Sequence, residues 1–335
     1  MKKEMRFLAL ALVAMMMLVM IAACTKETTA IHAPGEDEFD DNDFVYMDLA
    51  SEMIPLTEAP PLAFSAPTAP GTLTKSNNKA IIDYSNSKDG YIMVKFMSNT
   101  NKQLRVLITG PSNVQYQYTL KQDTSYEVYP LSDGNGKYTI GVYEQTEGNR
   151  YSTALSATID VALTDEFAPF LRPNQYVNFT AESNAVAKAA ELVEDSTGTM
   201  EKVAAIYDFV VAYLSYDRIF AREVTQGKHN GYLPDIDQVL ANRKGICFDY
   251  AALMTAMVRS QGIPCRLVVG YAGKDYHAWI DVYNEETGEW VNTAIYFDGK
   301  EWNRMDPTFA STSNQSNAIM QFIGDGANYS ARFLY

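Results

Sequence analysis

Cys247, His277 and Asp306 follow one another in the last third of a chain of 335 residues. Each lies in a local sequence that gives it a defined place. Cys247 stands in Lys244-Gly-Ile-Cys-Phe-Asp-Tyr-Ala-Ala-Leu253, just before a helical run. His277 opens the strand-like run His277-Ala-Trp-Ile-Asp-Val-Tyr283. Asp306 lies in Met305-Asp-Pro-Thr308. A thiol, an imidazole and a carboxylate are the parts of a cysteine acyl-transfer site. The sulfur attacks a carbonyl, the ring moves the proton, and the carboxylate fixes the ring's tautomer. A cysteine with one histidine lacks the usual four-ligand set, so no metal is implied, and no cofactor is called for.

These groups need rigid elements to hold them. Residues 247–260 are apolar on almost every face, through Ala251, Ala252, Leu253, Met254, Ala256, Met257 and Val258. A helix of this kind is buried, which fixes its N-terminus and the cysteine on its first turn. Amide groups without intrahelical partners, and the positive end of the helix dipole, attract negative charge there. The same amides could receive the oxyanion of a tetrahedral intermediate. Gly245 is expected to keep the approach to the sulfur open. Two histidines stand beyond the N-terminal region. His229 lies in the polar loop Gln226-Gly-Lys-His-Asn-Gly231, whereas His277 begins a strand with Trp279 and Ile280. A catalytic base needs a rigid support, so His277 is preferred. Asp306 is expected at the end of the last strand, with Pro307 stiffening the exit.

The elements fall into two groups. Residues 76–165 are expected to form a small all-β sandwich (Ig-like). Val114, Tyr116, Tyr118 and Leu120 alternate with polar residues, as do Tyr138, Ile140 and Val142, and Leu155 to Leu163. Ile92–Met97, Leu104–Ile108 and Tyr126–Tyr129 bring the number of short strands to about six, separated by turn signals. The tyrosines of this region are read as packing. Residues 166–335 form the α+β part. Helices are expected over Ala181–Glu194, Met200–Leu214, Asp235–Asn242 and the run after Cys247. Strands follow at Arg266–Tyr271, His277–Tyr283, Trp290–Phe297 and Trp302–Asp306. Helices first and antiparallel strands afterwards make an α+β domain.

The N-terminal region reads as targeting. Lys2, Lys3 and Arg6 precede an apolar stretch from Phe7 to Ala23, and Ile21-Ala-Ala-Cys24 closes it. This is a secretory signal with small residues before the cut. It resembles a bacterial lipoprotein box, with residues 1–23 removed and Cys24 lipidated. An uncleaved membrane anchor is the alternative. Both place the rest of the chain outside the cytoplasm. Residues 24–75, with Glu36, Asp37, Glu38, Asp40, Asp41 and Asp43 and then Pro55, Pro60, Pro61, Pro67 and Pro70, read as an extended acidic tether. The net charge of −14 argues against nucleic acid and against adhesion to anionic headgroups. Lipid on Cys24 would hold the protein to the membrane without help from charge. Cys247 and Cys265 would then be left as a pair. A helix between them sets their Cα atoms roughly 20 Å apart, against a bridging limit of ~7 Å. No disulfide is expected, and Cys265 is read as a core residue at a strand start.

Taken in order, Gly245-Ile-Cys-Phe-Asp-Tyr-Ala-Ala-Leu253, Gly262-Ile-Pro-Cys-Arg-Leu-Val-Val-Gly-Tyr271, His277-Ala-Trp-Ile-Asp-Val-Tyr283 and Met305-Asp-Pro-Thr308 resemble the transglutaminase-like superfamily, the papain-related group with a Cys-His-Asp triad. Ile206-Tyr-Asp-Phe-Val-Val-Ala-Tyr-Leu-Ser-Tyr-Asp217 looks like that family's helix leading to the strand beside the nucleophile. The likeness covers roughly residues 180–310. It implies that Cys247 is the nucleophile, His277 the general base and acid, and Asp306 the orienting carboxylate. It also implies an aromatic or polar side chain in the oxyanion hole, for which Tyr213 and Tyr216 both stand in the right region. The long stretch between His277 and Asp306 departs from the pattern and adds a hairpin strand. The reaction implied is attack on a peptide or carboxamide carbonyl through a thioester, with a protein, peptide or cell-wall peptide as substrate. Hydrolysis is the first expectation. Protein cross-linking is the second, and a non-catalytic surface binding lipoprotein the third.

Overall fold

In the β region, alternation places most strands correctly and two more appear. The structure is a computed structural model, which describes residues 66–292, 294–297, 302–305, 307–312 and 328–335. Strands β1 (Thr74–Ser76), β2 (Ala80–Asp83), β3 (Tyr91–Phe96) and β6 (Glu127–Pro130) form one antiparallel sheet in the order β1-β2-β3-β6. Strands β4 (Leu104–Thr109), β5 (Gln115–Leu120), β7 (Gly136–Glu147) and β8 (Arg150–Val161) form the other, in the order β5-β4-β7-β8. Ile82, Ile92 and Val94 of the first sheet share one apolar cluster with Val106, Ile108, Ile140 and Val142 of the second. The unforeseen strands are β1 and β2. β1 has no buried residue and β2 is four residues long, so neither shows a period. The sheet also reaches into the stretch that composition assigns to the tether. The amide of Thr68 donates to the Tyr91 hydroxyl (3.1 Å), and that of Gly71 to Asp83 (2.7 Å).

Helices follow: α1 (Asn184–Leu192), α2 (Thr199–Tyr213), α3 (Arg218–Thr225), α4 (Ile236–Asn242) and α5 (Cys247–Ser260). Asp235 caps α4 by accepting from the Gln238 amide at 3.1 Å, as the local sequence predicts. Helix α3 was not foreseen. It buries no residue although Phe220 and Val224 share a face, and Asp217 caps it through the Phe220 amide (2.8 Å). Helix α5 is buried almost throughout its length and packs on β11 (Cys265–Ala272) and β12 (Asp275–Asn284), with α1, α2 and α4 around it. Ala278, Ile280 and Val282 of β12 join its core cluster.

The second main sheet is antiparallel in the order β13-β12-β11-β16, with β13 at Glu289–Asn292 and β16 at Tyr329–Leu334. The single strand expected over Trp290–Phe297 is two: β13 pairs with β12, whereas β14 (Ala294–Phe297) pairs with β15 (Trp302–Met305). The chain then forms α6 (Pro307–Thr312), and Tyr329–Leu334 returns as the far neighbour of β11. Neither α6 nor β16 was expected, so the strand before Asp306 is not the last. Tyr116 and Tyr118 of β5 pack their rings edge-on against Tyr335, with centroids at 5.6 and 5.8 Å. These tyrosines therefore join the β region to the second sheet. Arg259, fully buried, donates to the carbonyls of Arg172 (2.6 Å), Cys265 (2.8 Å) and Tyr335 (2.6 Å). Residues 1–65, including the signal stretch and Cys24, lie outside the described residues. Among the described residues no helix is long and apolar enough to cross a membrane.

Candidate active site

The start of α5 is fixed from behind. Arg243 takes a left-handed conformation (φ 54°) at the end of α4 and turns the chain into β10 (Lys244–Gly245). That short strand pairs in parallel with β9 (Ser215–Tyr216), setting Tyr216 opposite Gly245. Ile246 follows as the cap residue and Cys247 as the first residue of the helix. Ile246 has no polar side chain to cap with, and Asp249 instead reaches back to the cap residue's own amide. One carboxylate oxygen of Asp249 accepts from the Ile246 amide (2.8 Å) and the other from the Tyr232 hydroxyl (2.6 Å). Asp249 is 1% exposed, and burial raises its pKa above the usual aspartate range more than these bonds lower it.

Gly245 has a different task from the one expected of it. A Cβ there would lie 2.6 Å from the Asp249 Cβ and 3.0 Å from one of its oxygens. Glycine is required so that the buried carboxylate can fold under the helix start. A cavity of about 260 Å³ opens on this side, lined by Asp217, Tyr232, Asp235, Lys244, Gly245 and Asp249 among others. Its carboxylates are engaged by the Phe220, Gln238 and Ile246 amides, and Cys247 does not line it.

Cys247 is half-buried and free. Cys265 is free and fully buried. Its thiol lies 3.8 Å from the Thr255 hydroxyl, and burial pushes its pKa up to about 12. Of the two tyrosines left open by sequence, Tyr216 is the one paired opposite Gly245, two residues before Cys247. Burial raises its hydroxyl well above the ordinary value, and the charge of Cys247 is the next cause. Its ring is 6.5 Å from that of Tyr250. Tyr213 is engaged elsewhere, stacked on Phe209 at 4.7 Å under the Arg243 guanidinium at 4.8 Å.

His277 lies in β12, opposite Gly270 of β11. It is 7% exposed, and its ring runs nearly parallel to that of Trp279 at 6.3 Å. The neighbouring residue, Tyr276, is close enough to Cys247 for the sulfur's charge to contribute to raising its hydroxyl, after burial and alongside Tyr271. Helix α5 packs on β12, the strand that carries His277. Gly270 lies where the pairing of β11 with β16 shifts its register. A Cβ at Gly270 would run into the Ser330 carbonyl oxygen and come within 2.9 Å of the Trp279 ring. His229 is on the surface, 2.9 Å from a Glu223 oxygen. Asp306 lies outside the described residues. The helix immediately after it packs on α5, where the Ser311 and Tyr250 hydroxyls are 3.1 Å apart.

The model of the transglutaminase-like superfamily matches residues 186–307, the stretch that holds α5, β11 and β12. This stretch is a transglutaminase-like domain. Outside it, the β region precedes the domain and β16 completes its sheet. The domain is similar to part of kyphoscoliosis peptidase of Homo sapiens, 28% identical over 133 residues, which is 39% of this chain and 19% of that protein. It is similar to the same degree, 28% over 134 residues, to the uncharacterized protein YebA of Bacillus subtilis (strain 168), covering 37% of this chain and 17% of the relative. The chain therefore spans less than a fifth of the length of either. A solved cysteine-protease candidate from Cytophaga hutchinsonii superposes with a TM-score of 0.36 at 17% identity, over 71% of this chain and 73% of that one.

Proposed function

We propose that this protein is a thiol acyl-transfer enzyme, held outside the cytoplasm by lipid on Cys24, that hydrolyses a peptide or carboxamide bond. The reading rests above all on the packing of the buried helix headed by Cys247 against the strand that carries His277. In the proposed cycle the Cys247 sulfur adds to the carbonyl carbon. Negative charge moves to the oxygen, where the early amides of α5 and the Tyr216 hydroxyl can donate to it. The raised pKa of Tyr216 keeps it protonated through neutral pH, which suits a donor. The tetrahedral adduct collapses to a thioester, and the leaving amine takes a proton from the His277 imidazolium. Water then adds to the thioester as His277 takes its proton. The acid leaves, and the proton returns to the sulfur. Asp306 would hold the ring in the required tautomer.

The test is mass spectrometry of a peptide library incubated with the protein and with Cys247→Ala, with and without a primary amine. Cleaved or deamidated products that need Cys247 support the proposal. Products joined to the amine in preference to water would make cross-linking the main reaction. No Cys247-dependent product would leave a surface binding protein.

A further inference from the structure

Five large apolar side chains are exposed among the described residues: Leu73, Met97, Ile219, Tyr271 and Tyr276. Only the two tyrosines form a pair. They face each other across the β11–β12 ladder, next to the His277–Gly270 pair. Their rings meet edge to face, with centroids 5.5 Å apart and planes at 68°. Tyr271 is 40% exposed and Tyr276 58%. Isolated exposed rings are common on soluble proteins, but a joined pair is a feature that marks a contact surface.

We propose that Tyr271 and Tyr276 form a side-chain subsite beside Cys247, which takes an aromatic residue of a peptide substrate flanking the bond that is attacked. The inference rests on the acyl-transfer reading of Cys247 and names the substrate class for it. Helix α5 and β11 are joined by a short turn and pack on each other, and each runs about 20 Å, so the Tyr271–Tyr276 end of the ladder returns to the level of Cys247 and a ring held on the pair would stand near the sulfur. Two rings at 68° make an angled notch, which offers a third ring one face and one edge, the contacts that aromatic groups prefer. A flat platform would suit a sugar ring better. Arg332 on β16 lowers the Tyr276 hydroxyl by its charge, so the rim carries a cation in a chain of net charge −14. A substrate with a carboxylate near its aromatic residue would meet attraction there rather than repulsion.

The test uses the accessible thiol itself, so it does not depend on turnover. The alkylation rate of Cys247 is measured on the full-length protein with iodoacetamide, with N-phenethyl iodoacetamide and with an N-acetylglucosamine-linked iodoacetamide. Each rate is divided by the rate of the same reagent with glutathione. The phenethyl reagent should be favoured roughly tenfold over iodoacetamide, the size expected for one well-placed ring. Tyr271→Ala and Tyr276→Ala should each reduce that ratio several-fold, and Tyr271→Phe should retain it. A ratio near one, or a ratio unchanged in both alanine variants, overturns the inference. Preference for the sugar reagent overturns it in favour of a saccharide platform. The acyl-transfer reading fails separately, if no Cys247-dependent peptide product appears while the alkylation preference stands. Unfolding curves of the alanine variants show whether a lost preference reflects a lost fold.

Discussion

Replacement of Asp249 should separate the support of the nucleophile's helix from its chemistry. Asp249→Ala removes the acceptor for the Ile246 amide and for the Tyr232 hydroxyl. Each bond to a charged acceptor contributes about 1.5–3 kcal/mol, and the helix start loses its capping acceptor. The variant should lose about 3–5 kcal/mol in urea unfolding. Asp249→Asn should lose only about 1 kcal/mol, because an amide oxygen can accept from Ile246 while its NH2 donates to the tyrosine oxygen. The pH dependence has a definite sign. The folded-state pKa of Asp249 lies above its unfolded value. Below the unfolded pKa both states are protonated and there is no charge to desolvate. As pH rises through the folded pKa, the folded state loses that advantage. The stability difference between wild type and Asp249→Asn should therefore shrink as pH rises from about 4 toward neutrality. A Tyr232→Phe cycle should show coupling of about 1 kcal/mol or more with Asp249→Ala. A cost for Asp249→Ala below about 0.5 kcal/mol, or a difference that widens with pH, would refute this account of the helix start.

Further expectations concern the two glycines and the two thiols. Gly270→Ala should cost about 1–3 kcal/mol in thermal or urea unfolding, because its obstacle is the Ser330 backbone and the Trp279 ring. A loss within the error of measurement would show that β16 can move aside. Gly245→Ala should destabilise by a similar amount, about 1–3 kcal/mol, and the loss should persist in a background of Asp249→Ala, which keeps the Cβ that lies 2.6 Å from the added methyl, and be relieved only by Asp249→Gly. In the native protein a thiol reagent should modify Cys247 and leave Cys265 untouched until denaturant is added, read by peptide mass mapping. Native labelling of Cys265 would contradict its burial.

The legible parts of this chain are those whose pattern is local. The apolar run after Cys247, the alternation through Gln115–Leu120 and the Asp235 cap each predict their element within a residue or two. The exception at a helix start is instructive. The cap residue of α5 is Ile246, which hides the device from any rule that looks for a polar cap, and Asp249 carries the function from three residues on. The same concealment applies to Gly245, where an open path and a buried carboxylate predict the same amino acid. Tyr213 and Tyr216 could not be separated by spacing, since both end the run that leads to the cysteine. The parallel bridge sets Tyr216 opposite Gly245, a pairing between two short strands that no local pattern announces. β16 could not be placed because its partner β11 is remote in sequence, and nothing in Tyr329–Leu334 names that partner.

The buried Arg259 carries one further consequence. Arg172, whose carbonyl it holds, also donates to the Asp89 carbonyl, in the turn before β3, at 3.0 Å. Two guanidiniums in relay, those of Arg172 and Arg259, thus tie a loop among the early strands to β11 and to Tyr335, and all of them lie in one compact unit, Leu56–Tyr335. The β region and the cysteine domain should therefore melt in one step. Neither should survive as a free-standing fragment, and transplanting the cysteine domain without the strands before it should yield an insoluble chain.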